Sequence, residues 1–584
     1  MRTSGTLILT ALAALLAMPA VAQQASDVIA PESPSAIEQK AAVRATKHMV
    51  IAANPLAAQA GLDVLRNGGN AADALVVVQT VLGLVEPQSS GLGGGAFLTW
   101  YDAAGQTVTT FDGRETAPAA ATPALFLGAD GEPLGFFDAV IGGRSVGVPG
   151  VPRLMEAVHA KYGRTPWKDL LQPAIDMAEG GFAVSPRLNT MITEDIERLD
   201  TQPATRAYFF DASGAPLAAG TLVRNPDYAQ TLRAIADGGA DAFYTGEIAE
   251  KIVAAVNTHA TNPGSLSLKD LADYQVKERP AVCAPYRGLS VCGMGPPSSG
   301  ALSIGQILGM VEPFDLATLG ADDPESWRII GDATRLAFAD RERYIADSDF
   351  VSIPKGLLNT GYLAERSALI SRPTALTDGD VKPGEPPWDK AELRMDGAAF
   401  DMPATTHFVI VDDEDNVASM TSSVENAFGS RQIVAGFILN NQLTDFSFAP
   451  EKDGQTVANR VEPGKRPRSS MAPTIVLKDG KPVYALGSPG GSSIIPYVAN
   501  TLIALIDWKL DMQAAISMPH MLNRFGTYEL EAETSAEGFV DDLEALGFKT
   551  KAGDLNSGLH GIAITPEGLT GGADPRREGV AVGD

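Results

Sequence analysis

The sequence predicts a layered α/β body with helices on the outside, because strand-like runs recur along the chain with helical stretches between them. Two stretches carry most of this expectation. Residues 405–411 and 417–424 read as alternating, β-branched strands around the turn-forming Asp412-Asp413-Glu414-Asp415-Asn416, a β-hairpin. Residues 71–84 are apolar nearly all round, as befits a helix enclosed by other layers, and 494–508 reads as a second buried helix.

Taken in order, residues 23–42 are polar and read as loosely held. Asn54-Pro55 opens a helix with a capping side chain and a proline at its first position, and Gly68-Gly69 ends it. Asn70 then caps the helix at 71–84. Ser89-Ser90-Gly91-Leu92-Gly93-Gly94-Gly95 resembles a dinucleotide-binding turn only superficially, since here the helix comes first and the strand (97–101) second; close backbone packing is the expected use. A strand at 108–111 leads to Asp112-Gly113-Arg114, where Arg114 reads either as a structural ion-pair partner or as a carboxylate binder. Residues 150–345 are helical with short connections. Thr165-Pro166 and Asp323-Pro324 repeat the cap-plus-proline start, and a hairpin around Cys283 interrupts. Strands follow at 474–477 and 483–487, Gly487-Ser488-Pro489-Gly490-Gly491 turns into the 494–508 helix, a capped helix runs near 535–546, and a closing strand lies near 561–565.

The N-terminus has one charge (Arg2), an apolar run over 7–18 and then Ala20-Val21-Ala22, the form of a secretory signal cleaved after residue 22. That run is too short for a membrane anchor, so a periplasmic or secreted protein is expected. A net charge of −26 makes nucleic acid and anionic membranes poor partners. The two cysteines, Cys283 and Cys292, flank one hairpin; in an oxidising compartment a disulfide between them is expected, two free thiols being the alternative. No metal-ligand spacing and no cofactor motif is present.

Thr405 stands at the mouth of the 405–424 hairpin, after a proline- and glycine-containing loop over 372–404. Read by itself it merely starts a strand, where threonine is common. A threonine hydroxyl becomes a useful nucleophile when a base is supplied, and the free amine of an N-terminal threonine is such a base. That chemistry requires a cut between Ala404 and Thr405.

Several motifs in register resemble those of the γ-glutamyltransferases (glutathione hydrolases), N-terminal-nucleophile hydrolases. They are Asn70-Ala71-Ala72-Asp73-Ala74, Val85-Glu86-Pro87, Ser89-Ser90-Gly91, Arg114-Glu115-Thr116-Ala117-Pro118, Thr405-Thr406-His407, Leu439-Asn440-Asn441-Gln442 with Asp445-Phe446, Lys465-Arg466-Pro467 with Ser469-Ser470-Met471, and Gly487-Ser488-Pro489-Gly490-Gly491. The resemblance runs from about residue 54 to 576. It implies a four-layer αββα sandwich formed jointly by two subunits of a self-cut precursor, a large one over 23–404 and a small catalytic one over 405–584. It implies that Thr405 is the nucleophile, that Ser423 stands where the family usually has a threonine bonded to it, and that Gly490 and Gly491 offer N–H groups to the oxyanion. Arg114, Ser469 and Ser470 would hold a substrate α-carboxylate, and Glu425, Gln442 and Asp445 the α-ammonium. At Glu425 many members carry asparagine. The loop at 447–467 corresponds to the family's lid but lacks the closing tyrosine of some members, which implies a more open site. The substrates implied are glutathione and other γ-glutamyl compounds, with water, an amino acid or a peptide as acceptor. Two competing readings are a glutaryl or cephalosporin acylase on the same fold, and a catalytically inactive periplasmic binding homologue.

Overall fold

The computed structural model describes residues 38–388, 395–397 and 404–584. The expected signal sequence and part of the 372–404 loop lie outside the described residues.

Two seven-stranded sheets dominate, both antiparallel throughout. The first runs, edge to edge, Val580–Gly583, Met49–Ala52, Thr405–Val411, Val417–Ser423, Gly95–Asp102, Thr107–Gly113 and Lys277–Pro280. The second runs Val43–Ala45, Gly568–Ala573, His560–Thr565, Lys481–Gly487, Thr474–Lys478, Leu289–Gly293 and Val282–Tyr286. Strand alternation explains how they stack. Val409, Val411 and Val417 point toward Ile475, Ala485 and Ile562 of the second sheet. Phe408, Ile410, Ala418 and Met420 point the other way, into a core shared with helices Pro55–Arg66, Ala71–Val85 and Val151–Tyr162. The outer face of the second sheet, through Val291, Val476 and Leu486, packs on helices Gly300–Val311, Pro324–Tyr344 and Ile494–Ile506. A sheet covered on both faces accounts for the unbroken apolar stretch Phe408-Val409-Ile410-Val411 within the strand.

Local chemistry sets the ends of the two helices before the first long strand. Asn54 Oδ1 accepts from Leu56 N, and Asn70 forms a capping box with Asp73. The 165–166 expectation is corrected: the helix is Trp167–Gly180, with Pro166 rather than Thr165 at its N-cap position and no side-chain cap, and the Thr165 hydroxyl donates to Asp73 Oδ2 at 3.1 Å. Near 535 the helix divides into a 3₁₀ turn (Ser535–Phe539), capped by Thr534, and an α-helix (Val540–Leu546). The 561–565 strand does not close the fold, since two further strands follow it. The 38–42 part of the segment expected to be loose is pinned. Lys40 Nζ donates to the carbonyls of Asp574, Arg577 and Gly579 at 2.7, 2.5 and 2.5 Å. Cys283 and Cys292 are disulfide-bonded directly across their hairpin, with Cα atoms 4.1 Å apart. Among the described residues no helix is long and apolar enough to cross a membrane.

Candidate active site

Thr405 is the first residue of its strand and faces Ser423 on the neighbouring one. The two hydroxyls and the preceding carbonyl form a chain: Thr405 Oγ1 donates to Ser423 Oγ at 3.3 Å, and Ser423 Oγ donates to the Ala404 carbonyl at 2.9 Å. Glu425 N–H donates to the same serine oxygen at 2.8 Å and so fixes its orientation. The serine thus touches both the hydroxyl that would attack and the carbonyl that would be attacked.

A narrow cavity opens in front of Thr405. It is lined by Thr405, Ser423, Glu425, Arg114, Gln442, Asp445, Ser469, Ser470 and Gly491 together with Met471 and Ile494. Of the residues singled out from sequence for nucleophile, oxyanion or substrate contact, Gly490 is the one outside this lining. It precedes Gly491 in the turn, and both have positive φ (132° and 56°), a backbone that glycine adopts without strain.

The cavity carries both signs of charge on buried side chains. Arg114 Nη2 donates to Asp445 Oδ2 and, at 2.9 Å, to the Arg468 carbonyl; its Nε donates to the Pro467 carbonyl at 3.2 Å. Gln442 Nε2 donates to the same Asp445 oxygen at 2.6 Å. The two readings of Arg114, ion-pair partner and pocket cation, therefore coincide in one residue. Asn441 Nδ2 donates to Glu425 Oε2, and Glu425 itself sits at φ 80°, a region that asparagine enters more easily than glutamate. Glu115, fully buried, places Oε2 3.9 Å from Arg114 Nη1. Burial pushes its carboxyl up to about 8, with Arg114 opposing. A Cβ at Gly95 would lie 2.3 Å from that carboxyl, so the small residue makes room for it.

The serine pair is braced from behind by residues that sequence reasoning missed. Ser299 donates from N and Oγ to the Ser469 carbonyl at 2.8 and 2.7 Å, while Arg341 donates to Ser299 Oγ at 2.9 Å and to Ser470 Oγ at 2.8 Å. The loop after the pocket contains a small hairpin (Glu451–Lys452 with Gln455–Thr456) and returns to it through Asn459 Nδ2, which donates to the Asp445 carbonyl at 2.7 Å. Asn441 lay within a motif seen in the sequence; no local signal marks Ser299 or Arg341. Among the described residues no cluster of potential metal ligands occurs.

Fold and cavity together define a mixed α/β protein whose strand-borne threonine opens onto a small, doubly charged pocket. The family model for gamma-glutamyltranspeptidase matches residues 57–584. The glutathione hydrolase proenzyme of Bacillus subtilis (strain 168) is 36% identical over 549 residues, covering 92% of this chain and 91% of that protein. The glutathione hydrolase proenzyme of Escherichia coli (strain K12) is 35% identical over 548 residues, covering 91% of each. A crystal structure of cephalosporin acylase from Bacillus halodurans superposes with a TM-score of 0.82 at 27% identity, covering 94% of this chain and 97% of that one. The chain belongs to the γ-glutamyltranspeptidase family.

Proposed function

We propose that the protein is a self-cleaving γ-glutamyl hydrolase and transferase acting on glutathione and related γ-glutamyl compounds. Cleavage before Thr405 yields a large subunit over 23–404 and a small one over 405–584, held together as a four-layer αββα sandwich after export to the periplasm or beyond. The observation that carries this reading is the pairing of Arg114 with Asp445 and Gln442 beside the Thr405 hydroxyl. An α-amino acid head group presents one charge of each sign, and this pocket holds a partner for each.

In the precursor, Thr405 Oγ1 attacks the Ala404 carbonyl carbon as its proton passes to Ser423, whose own proton stabilises the carbonyl oxygen. The C–N bond breaks as the proton relayed through Ser423 is delivered to the departing nitrogen, leaving an Ala404–Thr405 ester and a free amine, and water hydrolyses the ester to the Ala404 carboxylate and the free Thr405 hydroxyl. In the mature enzyme the Thr405 amine takes the hydroxyl proton while Oγ1 attacks the γ-carbonyl of the donor. Gly490 and Gly491 supply N–H groups to the oxyanion. Arg114, Ser469 and Ser470 hold the α-carboxylate, and Glu425, Gln442 and Asp445 the α-ammonium. The proton moves to the departing amine, and water or an amino acid or peptide then accepts the γ-glutamyl group from the ester.

A second reading, a glutaryl or cephalosporin acylase, is favoured by the likeness to the cephalosporin acylase structure. A glutaryl group has no ammonium to meet Glu425 and Asp445, which weighs against it. The test compares γ-glutamyl and glutaryl anilides on the secreted protein, with Thr405→Ala as control. The variant is expected to remain one uncut, inactive chain while wild type gives two pieces and prefers the γ-glutamyl donor. Normal cutting of Thr405→Ala, or preference for the glutaryl donor, overturns the proposal.

A further inference from the structure

Arg577 lies directly behind the proposed nucleophile, and the pocket chemistry makes no use of it. It is buried in the turn between strands Gly568–Ala573 and Val580–Gly583. Its Nη1 donates to the backbone carbonyl of Thr405 at 3.3 Å and its Nε to Asn556 Oδ1 at 3.1 Å. The side chain also borders the glycine turn of the pocket. A Cβ added to Gly558 would come within 2.7 Å of Arg577 Cδ and 2.8 Å of Pro489 Cγ, so both flank the same slot. The Arg577 backbone is held in turn by Lys40, whose ammonium donates to its carbonyl at 2.5 Å.

We propose that Arg577 is a positioning residue that sets the base strength of the Thr405 α-amine, the group that the cut before Thr405 creates. This rests on the reading of that amine as the general base. The carbonyl oxygen and the amine of one residue are three bonds apart, so the guanidinium stands within about 7 Å of the amine. A like charge at that distance in a buried site lowers an amine pKa by about one to two units. An ordinary α-amine titrates at about 7.7–8.0, so such a shift leaves it neutral, and able to take a proton, at neutral pH.

Other groups face the same amine. From the pocket, Glu425 and Asp445 pull its pKa up and Arg114 pushes it down. On its own strand and the adjoining sheet, His407 and His560 add no charge near neutrality, since burial holds His407 well below its ordinary value and His560 at about 4. Behind Arg577, Asp574 is held by Arg576 and Ser557, and beyond the glycine turn Arg524 pairs with Glu529. Among the described residues, Arg577 is a cation in hydrogen-bond contact with Thr405 itself, and its removal leaves the pocket carboxylates less opposed.

The experiment is kcat/KM for a γ-glutamyl anilide from about pH 5 to about pH 10 on fully processed wild type, Arg577→Gln and Arg577→Lys. Arg577→Gln is expected to move the acidic limb upward by about one unit. Arg577→Lys keeps the charge but not the planar fork, so its plateau falls while its acidic limb stays within about 0.3 unit of wild type. A uniform loss in Arg577→Gln with an unmoved limb means a merely structural arginine and overturns the proposal. Should Arg577→Gln fail to fold or be cut, Arg577→Lys decides, and a limb displaced by a full unit in that variant refutes it. Wild type that hydrolyses the anilide with no acidic limb would instead refute the reading of the amine as base.

Discussion

Replacing Ser423 by alanine isolates the step on which the proposed maturation depends. Two contacts to the reacting groups disappear: the long Thr405–Ser423 hydrogen bond at 3.3 Å and the Ser423–Ala404 carbonyl bond at 2.9 Å. The first is weak by its length. The second strengthens as the Ala404 oxygen takes on negative charge, and a donor to such an oxyanion is worth about 2–4 kcal/mol. Self-cleavage of Ser423→Ala should therefore slow by about thirtyfold to a thousandfold. The same change strips the Glu425 N–H of its acceptor, at a folding cost of about 1–3 kcal/mol for a buried donor, so thermal melting must accompany the assay. Ser423→Thr keeps the hydroxyl and stiffens its rotamer, and is expected to cut within about threefold of the wild-type rate. The assay is the conversion of purified precursor to two chains on a denaturing gel over time, with the new N-terminus read by mass spectrometry. A folded Ser423→Ala precursor cut at Thr405 as fast as wild type would show that the serine neither relays the proton nor polarises the carbonyl.

Two further predictions test the pocket. Asp445→Asn removes the charge shared by Arg114 and Gln442, and kcat/KM for a γ-glutamyl anilide should drop by about thirtyfold to a thousandfold. With Glu425→Gln added the loss should exceed either single change, whereas wild-type turnover in all three variants would remove the case for amino-acid recognition. Glu115 tests the electrostatics. Its folded-state carboxyl titrates at about 8 against an ordinary 4.5, so between those values the native state holds a proton that the unfolded chain has released. Stability contributed by this group is present below about pH 4.5 and is lost as pH rises through about 8. Glu115→Gln should flatten the decline of the urea midpoint across that window, and an unchanged decline counts against a protonated Glu115.

The features legible in the sequence were those whose chemistry is local. The 405–424 hairpin, the capped helices at 55 and 71 and the disulfide hairpin each declare themselves within one stretch of chain. The strand Gly568–Ala573 did not, because its sequence Gly-Leu-Thr-Gly-Gly-Ala has little strand propensity and its conformation is imposed by pairing with His560–Thr565. Thr165 does not cap because the helix begins later, at Trp167, while its N–H and hydroxyl both turn to the Asp73 carboxylate of a distant helix, a tertiary contact no local pattern reveals. For the site, the motifs that resembled a known family marked the lining residues, whereas Arg341 and Arg577 reach it from a helix and a turn far away in sequence. A lone buried arginine has no local signature; its function is set by which carbonyl or hydroxyl the folded chain brings to it.

The pairing inside the pocket bears on why one chain can fold first and act later. A buried unpaired charge costs several kcal/mol, and a site built to receive an ammonium and a carboxylate must carry such charges before either arrives. Here Arg114 and Asp445 answer each other, and Asn441 bonds Glu425, so neither pole waits uncompensated. On the proposed reading, an incoming amino acid head group would bring its own carboxylate to Arg114 and its own ammonium to Asp445, exchanging one ion pair for an alternating set of four charges with little change in net charge. A glutaryl chain brings only the carboxylate. It would draw Arg114 from Asp445 and leave that aspartate without a counter-charge, so on the proposed reading the pairing that stabilises the fold would itself be a penalty against substrates lacking the ammonium.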